Sequence, residues 1–265
     1  FMLIEIMSFI TIIFIALCLI SIAVSYFWAK RQNAIYPKTM ENVQDYTFFF
    51  QSIVDSDGKT SGVEALLRKF DTKTGKWIFP DDIDKFTLRE VIFLLHKSFI
   101  KTKHPSSFLA INISLKQFAD PRYEYFIRWV KGECYPMELR IEFNMQGYSE
   151  VNWLKKIRIK KNLKLSRELN VAVILEKIQP SKAYYKKVKW LLNDIHGVKV
   201  PLSNFHKKTD NEWLEMNMGD WSRLIRKKNK KIDITEVENE DDLLLADKLE
   251  IDNRQGYLID RPHSE

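Results

Sequence analysis

Gly62-Val63-Glu64-Ala65-Leu66-Leu67-Arg68 places a carboxylate and a guanidinium in a run that is otherwise apolar. A strand that buries Val and Leu on one side while aiming Glu64 inward needs a reason for that charge. The run follows an expected first strand at residues 47–55 and a turn at Asp57-Gly58, so it reads as the outgoing arm of a hairpin. Taken alone, Glu64 and Arg68 would also suit an ordinary salt-bridged strand end. The rest of the chain decides between these readings.

Beyond the hairpin, short apolar runs recur, each followed by a stretch of helical period. Strands are expected at 47–54, 62–70, 108–114, 138–144, 171–176, 197–202, 232–238 and 254–259, and helices at 88–102, 122–130, 150–169, 182–194, 211–228 and 240–249. This alternation predicts a parallel α/β fold, and eight such strands close a TIM-type (β/α)8 barrel with its chemistry at the C-terminal strand ends. Glycine occurs eight times in the whole chain, with no glycine-rich phosphate loop, so a Rossmann or P-loop nucleotide fold has no support.

At 265 residues, with 45% hydrophobic and 29% charged residues, the chain has material for one barrel-sized domain or two small ones. Residues 7–28 carry no charge and are rich in Ile, Phe, Leu and Val, long enough to cross a hydrocarbon core of about 30 Å. A cleaved signal peptide would have a basic start and a small-residue cleavage site; the early charge here is Glu5. Residues 1–32 are therefore expected to be a single-pass anchor in the cell membrane, residues 33–44 a tether, and residues 45–265 the barrel domain. Lys30, Arg31 and Lys38 after the span put that domain in the cytoplasm. Two cysteines, Cys18 and Cys134, supply neither a disulfide framework nor a metal site.

Polar residues at the expected strand ends follow the order of a known family. Gln51-Ser52-Ile53-Val54 is similar to an opening Gln-Pro-Ile-Val, and Glu64-Ala65-Leu66-Leu67-Arg68 to a Glu-x-Leu-x-Arg signature. Asn112-Ile113-Ser114 matches an Asn-x-Ser strand end, and residues 139–145 a strand carrying Glu-x-x-Glu. Val237-Glu238, and Gln255-Gly256-Tyr257-Leu258 followed by Pro262, resemble the last two motifs. From about Gln51 to Pro262 the chain thus resembles the EAL domains, bacterial phosphodiesterases of cyclic di-GMP. In that family two divalent ions activate a water for in-line attack on phosphorus.

The resemblance implies that Glu64, Asn112, Glu142 and Glu176 surround the first ion, with Lys199 near the attacking water. It also implies ligand contacts from Glu64, Leu66, Arg68, Asn112, Lys177 and Gln255, Arg68 facing a phosphate. The departures from the family are equally informative. Its paired aspartates fall on Glu176 and Lys177, the second acid of Glu-x-x-Glu falls on Met145, and a later acid falls on Thr235. An ammonium in place of a carboxylate at about 4 Å from a metal replaces an attraction of roughly 4 kcal/mol per unit pair by repulsion, at an effective dielectric near 20. Glu236, one residue along the strand, points to the other face unless a bulge intervenes. The expectation is a catalytically inactive EAL-like barrel with Lys199 and Glu176 vestigial. It needs no cofactor; Mg²⁺ or Mn²⁺ enters only if residual phosphodiesterase activity exists. Its expected partners are the membrane, cyclic di-GMP and a membrane or cytoplasmic protein.

Lys plus Arg exceed Asp plus Glu, 42 against 35, and basic clusters occupy 155–161 and 226–231. Exposed helix faces account for most of this. Among ligands the membrane tether favours anionic lipid over nucleic acid. Trp153, Trp190, Trp213 and Trp221 are expected to pack against the barrel, and the five histidines show no metal-ligand spacing.

Overall fold

The computed structural model describes residues 2–32, 43–80, 86–99, 106–206 and 213–264. The chain divides into two compact units, residues 1–41 and 42–265. The first is the helix α1 (Met2–Gln32), whose stretch Ile4–Phe27 has a mean hydropathy of 2.8 with none of its residues buried. Its 24 residues span about 36 Å at 1.5 Å per residue, the length and composition of a membrane-crossing helix. Most of the expected tether, residues 33–42, lies outside the described residues, as do Lys38 and the ends of two expected helices at 100–102 and 211–212.

The second unit is built on a hairpin of β1 (Tyr46–Asp55) and β2 (Thr60–Asp71). At its turn the Asp55 carboxylate accepts the amides of Asp57 and Lys59, and Gly58 takes the left-handed φ of 77° that the turn demands. A short β3 (Lys76–Ile78) folds back on the end of β2. The barrel continues through β4 (Phe108–Ile113), β5 (Glu138–Phe143), β6 (Ala172–Leu175), β7 (Gly197–Pro201), β8 (Lys231–Thr235) and β9 (Asn253–Arg254). From β2 through β4 to β9 each neighbour is parallel, and β1, antiparallel to both β2 and β9, closes the ring.

The expected all-parallel barrel is thereby corrected to a mixed eight-stranded one. A tight turn joins antiparallel strands alone, since parallel neighbours need a crossover of a dozen or more residues. The hairpin at Asp57-Gly58 therefore reverses β1. Two strand ends are also shorter than expected. Glu236 takes φ 64°, which ends β8 at Thr235. Of the run 254–259 only Arg254 is in a strand, paired with Asn253 in β9, and the chain then turns, with Gly256 so close to the Val237 backbone that a Cβ there would lie 2.1 Å from its carbonyl oxygen.

Helices α2 (Leu88–Phe99), α3 (Leu115–Phe118), α4 (Tyr123–Glu133), α5 (Trp153–Glu168), α6 (Lys182–Val188), α7 (Met218–Arg226) and α8 (Glu240–Lys248) surround the strands. Leu109, Ile111, Ile141, Phe143, Val173, Leu175, Val198 and Val200 are fully buried. Inside the barrel Ile53, Phe108 and Ala110 form a small apolar plug. Trp221 is buried as expected, whereas Trp153 and Trp213 are exposed, so the expectation that all four tryptophans pack against the barrel fails for those two.

Candidate functional site

The inward residue pattern of successive strands brings polar side chains to one end of the barrel. Gln51 on β1 lies opposite Glu64 on β2, and Asn112 on β4 opposite Glu142 on β5. Lys199 comes from the middle of β7, and Gln255 follows β9 directly. All of these except Asn112 are buried. Lys199 Nζ lies 2.6 Å from Glu142 Oε2 and 3.0 Å from Glu64 Oε2. Asn112 Nδ2 donates to the other oxygen of Glu64, and Gln255 Nε2 donates to Glu64 Oε2 at 2.5 Å and to Gln51 Oε1 at 2.9 Å. Gln51 Nε2 in turn donates to the Asp260 carbonyl at 2.7 Å, which ties the C-terminal segment to the site. A second inward pair, Arg140 and Asp233 at 2.8 Å, has the Arg140 guanidinium 3.6 Å from the Phe108 ring centre and Asn253 on the other carboxylate oxygen.

Burial works to raise the Glu64 carboxyl, but the Lys199 charge and hydrogen bonds from Lys199, Asn112 and Gln255 outweigh it and hold the group below its ordinary value. Glu142 goes the other way. Burial, reinforced by the negative charges of Glu64 and Glu176, pushes it up to about 8 against the pull of Lys199. Burial works to lower the Lys199 ammonium, and Glu142 and Glu64 together keep it above its ordinary value. Burial also raises Glu176, whose Oε1 accepts from Asn144 Nδ2 at 3.0 Å.

These groups form the floor of a cavity of about 740 Å³. Leu66, Arg68, Lys177 and Glu176 line it, so it gathers all the residues expected at the site except Glu142, which sits just beneath, bonded to Lys199. Thr235 also lines it, whereas Met145 is buried and does not; Asn144 and Gln146 on either side do. Lys177 has φ 55°, in the left-handed region beside Glu176. Sequence reasoning assigned no role to Gln51, Asn144, Phe79 or Gln117. Gln51 was findable, because it and Glu64 are equally distant from the Asp57-Gly58 turn. Gln117 was too: Ser114-x-x-Gln117 is a capping box that starts α3 and sends Gln117 Nε2 to the Phe86 carbonyl at 2.7 Å.

Glu64, Glu142, Glu176 and Asn112 offer hard oxygen donors of the kind Mg²⁺ or Mn²⁺ takes. Asn112 Oδ1, Glu142 Oε1 and Gln255 Oε1 are buried without a hydrogen-bond partner, and a cation or its water shell would satisfy such oxygens. Lys199, however, already bridges two of the carboxylates, and among the described residues no group of three or more His, Cys, Asp or Glu side chains is placed to hold a metal. Lys177 and Thr235, expected at the positions of a second ion, offer it no carboxylate, and with Lys199 already bridging Glu64 and Glu142 the floor suits one hard cation at most.

The barrel shares its fold with EAL domains of known structure. The structure resembles the FimX EAL domain from Pseudomonas aeruginosa bound to c-di-GMP, with a TM-score of 0.63 and 16% identity over 88% of this chain and 95% of that one. It also resembles an EAL domain protein from Listeria monocytogenes EGD-e, with a TM-score of 0.61 and 20% identity over 84% and 91%. The Bacillus subtilis YkuI protein, with an EAL domain in complex with c-di-GMP and calcium, gives 0.67 and 15% over 86% of this chain and 57% of its own length. No protein-family model and no curated protein matches the sequence.

Proposed function

We propose that this chain is a membrane-anchored, catalytically inactive EAL-like domain that acts in cyclic di-GMP signalling by binding, as a receptor for the dinucleotide or as a module for a protein partner. The observation that carries the reading is Lys177 on the cavity wall beside Glu176, where the resemblance leads one to expect a metal-binding carboxylate. A cation there opposes a second metal ion and attracts a phosphate. Arg68, on the same wall, offers a second cation whose planar donor fork suits a phosphodiester. Phe79 and Phe86 supply apolar wall for a base. Lys199 neutralises the floor, which would otherwise repel the ligand through Glu64. The cavity falls within the roughly 300–1,000 Å³ typical of small-molecule sites. Helix α1 supports the anchor, with the barrel unit in the cytoplasm.

A second reading, a weak metal-dependent phosphodiesterase, is favoured by the three unpartnered oxygens around Glu64. Calorimetric titration with cyclic di-GMP, with and without Mn²⁺, separates the readings. The receptor reading expects binding without metal, weakened at least tenfold by Arg68→Ala, and no hydrolysis. Turnover in Mn²⁺ that disappears in Glu64→Ala would establish the enzyme, and no heat under either condition would leave the protein-binding module.

A further inference from the structure

Helix α5 carries an exposed apolar turn. Trp153, Leu154 and Ile157 are 68, 54 and 57% exposed, while Ile159, Asn162, Leu163 and Ser166 fill its inward face. Lysines are frequent on the same two helices: Lys156 and Lys161 on α5, Lys186 and Lys187 on α6, and Lys189 just after it. Tyr148 knits the two helices into one surface, its ring centre lying 5.6 Å from Lys156 Nζ and 5.1 Å from Lys187 Nζ. α6 contains no acidic residue, and α5 a single one, Glu168, at its far end.

We propose that the α5–α6 surface docks on an anionic lipid bilayer, Trp153, Leu154 and Ile157 entering the boundary between headgroups and acyl chains while the lysines meet lipid phosphates. The mixture of side chains selects this occupant. Nucleic acid would satisfy the lysines and give Leu154 and Ile157 nothing to bury against. A second copy seated face to face would cover the apolar turn but set lysine against lysine. An anionic bilayer meets both demands. The inference goes beyond nucleotide binding and rests on the anchor reading of α1, which would hold the barrel unit beside the bilayer.

The test uses the full chain with Cys18→Ser and Cys134→Ala, and Leu154→Cys carrying an environment-sensitive fluorophore, in nanodiscs of phosphatidylcholine with or without phosphatidylglycerol. Blue-shifted emission, quenched by doxyl-labelled lipid, is expected in the anionic discs alone, and the same label at Leu244→Cys on α8 should not respond. Each lysine near the surface accounts for about fivefold in docking, so Lys156→Gln, Lys161→Gln and Lys187→Gln together should reduce the docked population about a hundredfold. Equal spectra in the two discs would overturn docking while leaving the anchor standing. A shift that follows protein concentration without lipid quenching, or that appears with an oligonucleotide instead of lipid, would also overturn it. A chain that enters neither disc would remove both readings.

Discussion

One ammonium holds two buried carboxylates together at the floor of the cavity. With Lys199→Met, Glu64 and Glu142 lose their cation, and breaking a buried pair in this way costs about 3–5 kcal/mol. Adding Glu142→Gln removes one of the stranded charges and should recover part of the loss; urea unfolding of the single and double variants measures both. Lys177→Asp restores the charge pattern of a metal-binding pair, yet it should not restore hydrolysis of cyclic di-GMP in Mn²⁺. Met145 is buried away from the cavity and Thr235 on its wall carries no carboxylate, so two further positions expected to hold acids still lack one. At this scale the order of motifs located Glu64, Asn112 and Lys199, and the structure brings all three to the cavity floor. Phe79 escaped because it belongs to the segment after β3, where no period constrains direction, and Asn144 because it was expected as the last residue of a strand that ends at Phe143.

The elements fail or hold at their ends. Gly256→Ala would drive a methyl group into the Val237 backbone, and a shift of that turn also disturbs Gln255; a loss of more than about 2 kcal/mol is expected in thermal or urea unfolding. Between α3 and α4, burial works to raise Asp120, but hydrogen bonds from the Arg122 side chain and backbone and the Arg122 charge hold it below its ordinary value. A depressed carboxyl contributes stability that is present above the unfolded pKa and is lost as pH falls through the folded one. Asp120→Asn should therefore cost about 1 kcal/mol at pH 7, discounted for partial exposure, and the difference from the parent should shrink below about pH 4. Unfolding midpoints across that range check the sign. Periodicity located the helices, but capping chemistry set where several begin: Asn217 with Asp220 starts α7 at Met218, inside the expected 211–228.

The whole molecule joins a long apolar helix to a closed barrel, each a compact unit. Removal of residues 1–41 should give a protein that stays in aqueous solution without detergent and unfolds cooperatively, as sedimentation and thermal melting would show. The sequence by itself determined the apolar helix, the alternation of strands and helices, and the hairpin turn at Asp57-Gly58, because composition, period and turn residues are local properties. Tertiary structure decided the closure of β1 against β9, the partnership of Lys199 with Glu64 and Glu142, and the exposed apolar turn on α5. Each depends on which distant segments a closing barrel brings together: ring closure sets β1 between β2 and β9, and burial in that ring makes one lysine the counter-ion of two glutamates.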